Sequence, residues 1–407
     1  MNMITEVIED YNSDRLAKML PYKYKLMKEN LFHFFRGTGH IFYEEISRSE
    51  VLAQAPPAWI SGDLHIENFG CYKGRGRQVY FDINDFDDAI LAPVSWDLTR
   101  FVTGLFIAFD TLYMEQARAI DMARLFLNEY AGTLAKGKAD YIEYNTARGI
   151  IRKFLVSTGE RKTSDFLNKF AVKKRGEMRL RVDDKKQFKL NKDLKKDLSE
   201  HISLWMRSFD LIKDYKVTDA VFHLMGISSL GLRRYAFLLR SKNKGRPKYM
   251  ILDMKEASPS CILPFSNFQQ PGWESQASRI VTVQERLQNK PPMILGLTNF
   301  RGRSYVVKLL EHEEDNISIR FLKDKYKDMR ASIKSLATLT ASSHLRSSGQ
   351  DGSFTTDGLK SFAHQVQWKE DIIDFAASYC IKAKKDYDSY LAEKKEMKPI
   401  NQPLNEE

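Results

Sequence analysis

Asp63 and Asn68 of "GDLHIEN" stand five residues apart, and Asp85 follows 17 residues after Asn68 in "QVYFDINDFDDAI". Phosphoryl transfer asks for such a set. It needs a carboxylate to take the proton of an attacking hydroxyl, and hard oxygen ligands for the magnesium ions that bridge ATP phosphates. The flanking residues are apolar, and an unpaired carboxylate buried among them is costly, so each acid here needs a partner or a task.

Asp82, Asp87 and Asp88 compete with Asp85 for the metal role. On a strand, Asp82 and Asn84 face one side and Ile83 and Asp85 the other. Asp87 and Asp88 read equally well as caps of the turn or helix that follows. Glu67 reads as solvent-facing or paired to a base. His65 is either a metal ligand or the donor or acceptor of a bond that orients the loop, and the second reading is preferred. Arg36 and Arg100 either pair with the acids or meet substrate, and Trp96 reads as core.

A second block lies in "HLMGISSLGLRRYAFLLRSKNKGRPKYMILDMKEA". Gly226, Ser228, Ser229 and Gly231 belong to a loop between two strands whose backbone N–H groups can lie on phosphates; taken alone, such a loop is a hairpin turn. Lys255, on a third strand, can reach the α and β phosphates, and the following helix offers Glu274 or Glu285 as its ion-pair partner. Glu274, 19 residues past Lys255 and near the helix start, is preferred. Asp253, two residues before Lys255 on the same strand face, competes for that lysine.

The elements that must position these residues form an α+β pattern. Residues 1–50 read as helical, ending at the glycine break "RGTGH". Two short strands, "AWIS" and "QVYFDI", flank a loop with the His65–Asn68 residues and a glycine-rich turn, "GCYKGRGRQ". Helices run from Ser95 to about Leu155, and "FVTGLFIAF" reads as a buried helix, half the length of about 20 residues that a bilayer requires. Antiparallel strands begin near Val217, the helix "WESQASRIVTVQERLQ" follows, and two more strands surround Arg301 and Gly302. The chain is helical again from about Lys323 to Tyr390, and "AEKKEMKPINQPLNEE" reads as a frayed tail. The expected units are 1–215 (helices, catalytic loop and metal-binding residues), 216–312 (a nucleotide-binding sheet) and 313–407 (helices completing the first unit, with the tail).

At 407 residues, 43% hydrophobic and 12% aromatic, the chain can bury a sizeable core. The net charge of +11 is concentrated between Arg161 and Lys196, where 14 Lys and Arg face 5 Asp and Glu. That window reads as a solvated helix or hairpin face, or as a surface that recruits an acidic substrate. "KKRGEMRLRVDDKKQFKLNKDLKK" carries one aromatic residue, Phe188, and no nucleic-acid motif, which argues against nucleic acid as partner. Cys71, Cys261 and Cys380 form no CxxC pair, so neither a disulfide framework nor a zinc site is indicated. With no signal-peptide pattern among the first thirty residues and no membrane segment, the cytoplasm is the expected location.

"GDLHIEN" with "INDFDDAILAPVSWDL" resembles the "HGDLHxxN … IDFxDAxxGxPxxDLA" pattern of the aminoglycoside phosphotransferase branch of protein-kinase-like enzymes. Over roughly residues 10–390 the chain more closely resembles the bacterial domain-of-unknown-function family 2252, through "FFRGT", "GDLHxENFG", "NDFD", "WDL", "GxxSxG" and "KEA" in this order. The resemblance implies that Asp63 is the catalytic-loop carboxylate, that Asn68 is a metal ligand and that Asp85 is the main magnesium ligand. It also implies that Asp97 is a buried acid taking backbone N–H bonds from the catalytic loop, with His65 placed where many small-molecule kinases carry a histidine. In kinases the glycine-rich loop and its lysine precede the catalytic loop. Here Gly226 lies 163 residues after Asp63. Either the second block is unrelated, or the fold is a two-lobed, circularly permuted kinase-like fold with a helical catalytic lobe and a small antiparallel-sheet lobe.

The function expected on these grounds is an ATP- and Mg2+-dependent phosphotransferase acting on a hydroxyl acceptor. The alternatives are a metal-dependent phosphoesterase, with Asp63, His65, Asp82 and Asp85 holding metal ions that activate water, and a nucleotide-binding pseudokinase or binding module.

Overall fold

Short apolar strands and one deeply buried helix build the part of the chain that carries Asp63. The computed structural model describes residues 3–76, 78–161, 163–243, 245–310 and 316–393. The expected tail lies outside these residues from residue 394 onward. Strand β1 (Pro57–Ile60) leads into the Asp63 loop, and the chain continues as β2 (Phe69–Lys73), β3 (Val79–Ile83) and β4 (Ile90–Pro93). The two expected strands do not pair with each other. β1 pairs with β4, while β2 pairs with β3, whose other edge takes the two-residue β5 (Ile142–Glu143). The glycine-rich turn is correspondingly shorter than expected, because Cys71 and Tyr72 are buried and pair across to Phe81 and Tyr80.

The helix Val94–Thr111 follows β4 and is buried continuously from Val94 to Phe109. A helix buried on every side belongs in the centre of a core, and helices Leu31–Gly37, Gln116–Lys136 and Gln367–Ala392 pack against it. Residues before Asp63 and after 316 therefore share one core with it.

The second structural unit is an antiparallel sheet. A separate hairpin, β6 (Ala171–Lys174) with β7 (Glu177–Leu180), precedes its strands β8 (Gln187–Phe188), β9 (Tyr215–His223), β10 (Arg234–Ser241), β11 (Tyr249–Glu256), β12 (Leu295–Phe300) and β13 (Arg303–Leu309). The six-stranded order is β12-β13-β11-β10-β9-β8. Alternation sets the two faces. Phe222, Tyr235, Phe237, Leu252 and Met254 enter one core together with Leu194, Leu198 and Ile202 of the helix Lys192–Trp205. Val221, Ala236, Leu238 and Ile251 enter another, roofed by Leu167 and Leu180. Residues on both sides of the expected 215/216 boundary thus share a core. The basic window contributes a helix, the β6–β7 hairpin and the turn before β8, and its cations are mostly exposed, as a solvated face requires. Among the described residues no helix is long and apolar enough to cross a membrane. The architecture is α+β.

Candidate active site

A cleft of about 930 Å³ lies between the Asp63-bearing elements and the sheet. It is lined on one side by Glu67, Asn68, Asn84, Asp85 and Asp87, and on the other by Gly226–Leu230, Arg234, Asp253, Lys255 and Lys308. The two sequence blocks therefore face one cavity of a size ordinary for a small-molecule ligand.

The catalytic-looking loop is held from behind. Asp97, fully buried, accepts bonds from Ser61 N (2.9 Å), Ser61 Oγ (3.0 Å) and Gly62 N (3.1 Å). Gly62 has φ +66°, and a Cβ there would sit 2.4 Å from the Asp88 carbonyl oxygen, so the chain passes with no room for a side chain. Asp63 follows with φ +47°, a conformation that aspartate tolerates better than most residues. Its N–H donates to Tyr43 Oη at 2.9 Å. Arg100 then grips one carboxylate oxygen, Oδ1, through Nε (2.9 Å) and Nη2 (2.7 Å). Among the described residues Oδ2 has no partner. Burial pushes the Asp63 carboxyl up to about 6, although Arg100 pulls the other way. Asp63 itself does not line the cleft, and its side chain is 10% exposed.

Asn68 does line the cleft. Its Nδ2 donates to the Asp63 carbonyl at 3.0 Å, which leaves Oδ1, the atom a hard cation takes, without a protein partner among the described residues. β3 ends at Ile83, so Asn84 and Asp85 both reach the cavity and do not divide between two faces. Burial opposes charge on Asp85, but Lys255 and Lys308 outweigh it and hold the carboxyl below the usual range. Asp87 shares Lys255 with Asp85, and burial together with that neighbour raises its carboxyl.

Several expectations need correction. The acid on Lys255 is Asp87, whose Oδ2 forms an ion pair with Nζ. Glu274 is exposed and outside the cleft, because the described helix starts at Gln276 with Ser275 as its cap, and the cleft-facing side of that helix carries Ile280 and Gln284. Glu285 is exposed and pairs with Arg75. Asp253 does not compete for Lys255, since Arg234 holds it bidentately at 2.7 and 2.8 Å, well below the usual carboxylate range despite its burial. His65 is turned inward, 1% exposed and outside the cleft. Its Nδ1 accepts from Glu67 N at 3.1 Å, and burial keeps the ring neutral, which makes it a support of the loop. Glu67 pairs with Arg36 at 2.7 Å. Asp82 sits 3.5 Å from Arg346 and does not line the cleft, so the three acids and the histidine of the phosphoesterase alternative are not gathered in one place. Asp88 caps the turn at Cys261, accepting its N–H at 2.7 Å.

The glycine loop joins β9 and β10 as expected. Gly226, Ser228 and Ser229 line the cleft, whereas Gly231 lies behind it against Arg15. The backbone N–H groups of Gly226, Ile227, Ser228 and Ser229 donate to no acceptor among the described residues.

A residue not anticipated is Arg279. Its guanidinium donates to the carbonyls of Ala89 (2.5 Å), Asp87 (2.8 Å) and Ser258 (2.9 Å), which ties the helix after the lysine strand to the Asp85–Ala89 loop. The signal for it was slight: one arginine among apolar positions on an amphipathic helix.

The family model for "Uncharacterized protein conserved in bacteria (DUF2252)" matches residues 15–393. The chain belongs to this family. Comparison with curated proteins gave no match, and neither did comparison with solved structures. The stretches that carried the resemblance converge in space although they span residues 34–257 of the chain. Arg36 of "FFRGT" reaches Glu67 of "GDLHIENFG", Asp97 of "WDL" holds Ser61 and Gly62, and Lys255 of "KEA" meets Asp87 of "NDFD".

Proposed function

We propose that this DUF2252 protein is an ATP- and magnesium-dependent phosphotransferase with a two-lobed, circularly permuted kinase-like fold, acting on a hydroxyl acceptor. The observation that carries the reading is the single cleft faced by Asn68 and Asp85 from one side and by Lys255 and the Gly226–Ser229 loop from the other. In chain order the sheet unit runs strand, glycine loop, strand, lysine strand, helix and two strands, the order of parts in a kinase nucleotide lobe. Chain order elsewhere is immaterial to a site, which is defined by geometry.

The residues fit the groups they would hold. Asn68 Oδ1 and the ionised Asp85 carboxylate are hard oxygen donors suited to magnesium, which when bound neutralises phosphate charge. The Gly226–Ser229 amides offer donors to phosphate oxygens. Lys255 supplies a cation to the same phosphates once it exchanges Asp87 for them. Asp63 Oδ2 is the proton acceptor, held by Arg100 on its other oxygen, and a carboxyl pushed up to about 6 is a better base than an ordinary aspartate. The mouth of the cleft carries Lys25, Lys185 and Lys186, which favours an anionic acceptor.

The test is a thermal shift on adding Mg-ATP, lost in Asp85→Asn, followed by a screen of acceptor classes with γ-labelled ATP. No binding of any nucleotide with either magnesium or manganese overturns the reading. A nucleotide-binding module without turnover is the second reading, favoured by the double grip of Arg100 on Asp63 and by the place of Asp63 outside the cleft wall. Binding without transfer to any acceptor class supports it.

A further inference from the structure

The glycine loop is gripped from outside the cleft by residues of the amino-terminal segment. Arg15 Nη1 donates to the carbonyls of Ser228 (2.5 Å) and Leu230 (2.7 Å). Lys23 Nζ donates to Ser228 O at 3.1 Å and to Asn12 Oδ1 at 2.7 Å, and Leu16 N donates to Gly231 O at 2.9 Å. Three of the loop's carbonyls are thus engaged on one side. Gly231 makes the approach feasible, because a Cβ there would lie 2.9 Å from the Arg15 Cβ.

A trans peptide unit points its C=O and the next N–H in opposite directions. Fixing Ser228 O on Arg15 and Lys23 therefore aims Ser229 N–H away from the amino-terminal segment, and Ser229 lines the cleft. The amides of Gly226 to Ser229, without acceptors among the described residues, are the complement of this arrangement. Lys23 is fully buried, and burial weakens its hold on its proton. Burying an ammonium seldom adds net stability, so its two oxygen partners read as placement of the loop.

We propose that Arg15 and Lys23 are positioning residues that hold the Gly226–Gly231 loop by its carbonyls and so present its amides to a phosphate group. The inference rests on the reading of this loop as the phosphate site. Its ligand is a polyphosphate, and the residues act through the loop without touching that ligand.

The experiment measures Lys23→Met, Arg15→Ala and Arg15→Lys in the full chain, by titration with Mg-ATP and with tripolyphosphate and by amide hydrogen exchange in the ligand-free protein. A lost bond from a charged donor should weaken Mg-ATP and tripolyphosphate binding by about tenfold or more, with Arg15→Lys intermediate. Where transfer is measurable, KM rises while kcat stays close to that of the unaltered chain. The Leu230 and Leu232 amides, which donate to Ile227 O (3.3 Å) and Ser229 O (3.1 Å), should exchange faster in the variants, while the Val94–Thr111 helix is unchanged. Folded variants that bind both ligands as the unaltered chain does overturn the proposal. If the unaltered chain binds neither ligand, the phosphate reading falls, and with it the proposed task of the clamp. Exchange then decides separately whether these residues hold the loop: faster exchange at Leu230 and Leu232 upholds the grip, and unchanged exchange removes it. Should Lys23→Met fail to fold, the half-buried Arg15 variants carry the test.

Discussion

Asp63 yields a prediction with two readouts of opposite sign. Its carboxyl stands at about 6, against an ordinary 3.8, because burial outweighs the Arg100 guanidinium. A carboxyl raised by folding stabilises the native state below its unfolded value and loses that contribution as pH rises through the folded value. The window is therefore pH 4 to 6, and the loss comes to about 3 kcal/mol at 1.36 kcal/mol per pH unit. If Asp63 is the base, phosphoryl transfer runs the other way. The ionised fraction falls from about nine-tenths at pH 7 to about one-tenth at pH 5, so kcat/KM should drop nearly tenfold across that span. The assays are urea unfolding between pH 3.5 and 8 and γ-phosphoryl transfer between pH 4.5 and 8, for the unaltered chain and for Asp63→Asn. Asp63→Asn should lose the stability slope between pH 4 and 6 and lose transfer by a factor of about 100 or more. An unchanged stability slope in Asp63→Asn would refute the burial argument. A rate limb centred below pH 5 would refute the assignment of Asp63 as base.

Asp97→Asn places a donor against the donors at Ser61 and Gly62, and should cost about 2 to 3 kcal/mol in chemical unfolding. Gly62→Ala must push its Cβ into the Asp88 carbonyl while holding a positive φ, and should cost about 2 kcal/mol or more by the same assay. Asp87→Asn should change Mg-ATP affinity measured by calorimetry, whereas Glu274→Gln, exposed and outside the cleft, should leave it unaltered. Lys25→Glu with Lys185→Glu should weaken nucleotide binding at low salt, with the difference shrinking as ionic strength rises.

Local features were legible because their causes are short-range. The five-residue step from Asp63 to Asn68 keeps the two residues in one loop, where the Asn68 amide donates to the Asp63 carbonyl. Alternation along β9 to β11 put Asp253 and Lys255 on one face, and the turn residues of "GISSLG" joined two neighbouring strands. The apolar stretch "FVTGLFIAF" announced a buried helix. The strand at Phe69–Lys73 was missed because its glycine-rich surroundings imitate a turn, and only its pairing with β3 reveals it.

Pairing between distant groups was not legible, and the reason is physical. Lys255 had several carboxylates within plausible reach, and spacing along the chain favoured Glu274. An ion pair forms through space, however, and Asp87, 168 residues away, is the acid that the packing of the sheet on the Asp85 loop brings to it. Arg100 on Asp63 and Arg234 on Asp253 were decided in the same way. So was the grip of Arg15 and Lys23 on a loop more than 200 residues later in the chain. Residue type and spacing determined which groups this chain has available for the proposed phosphate chemistry. Tertiary packing alone decided which of them meet, because charge interactions depend on distance and burial, and neither is written in the order of residues.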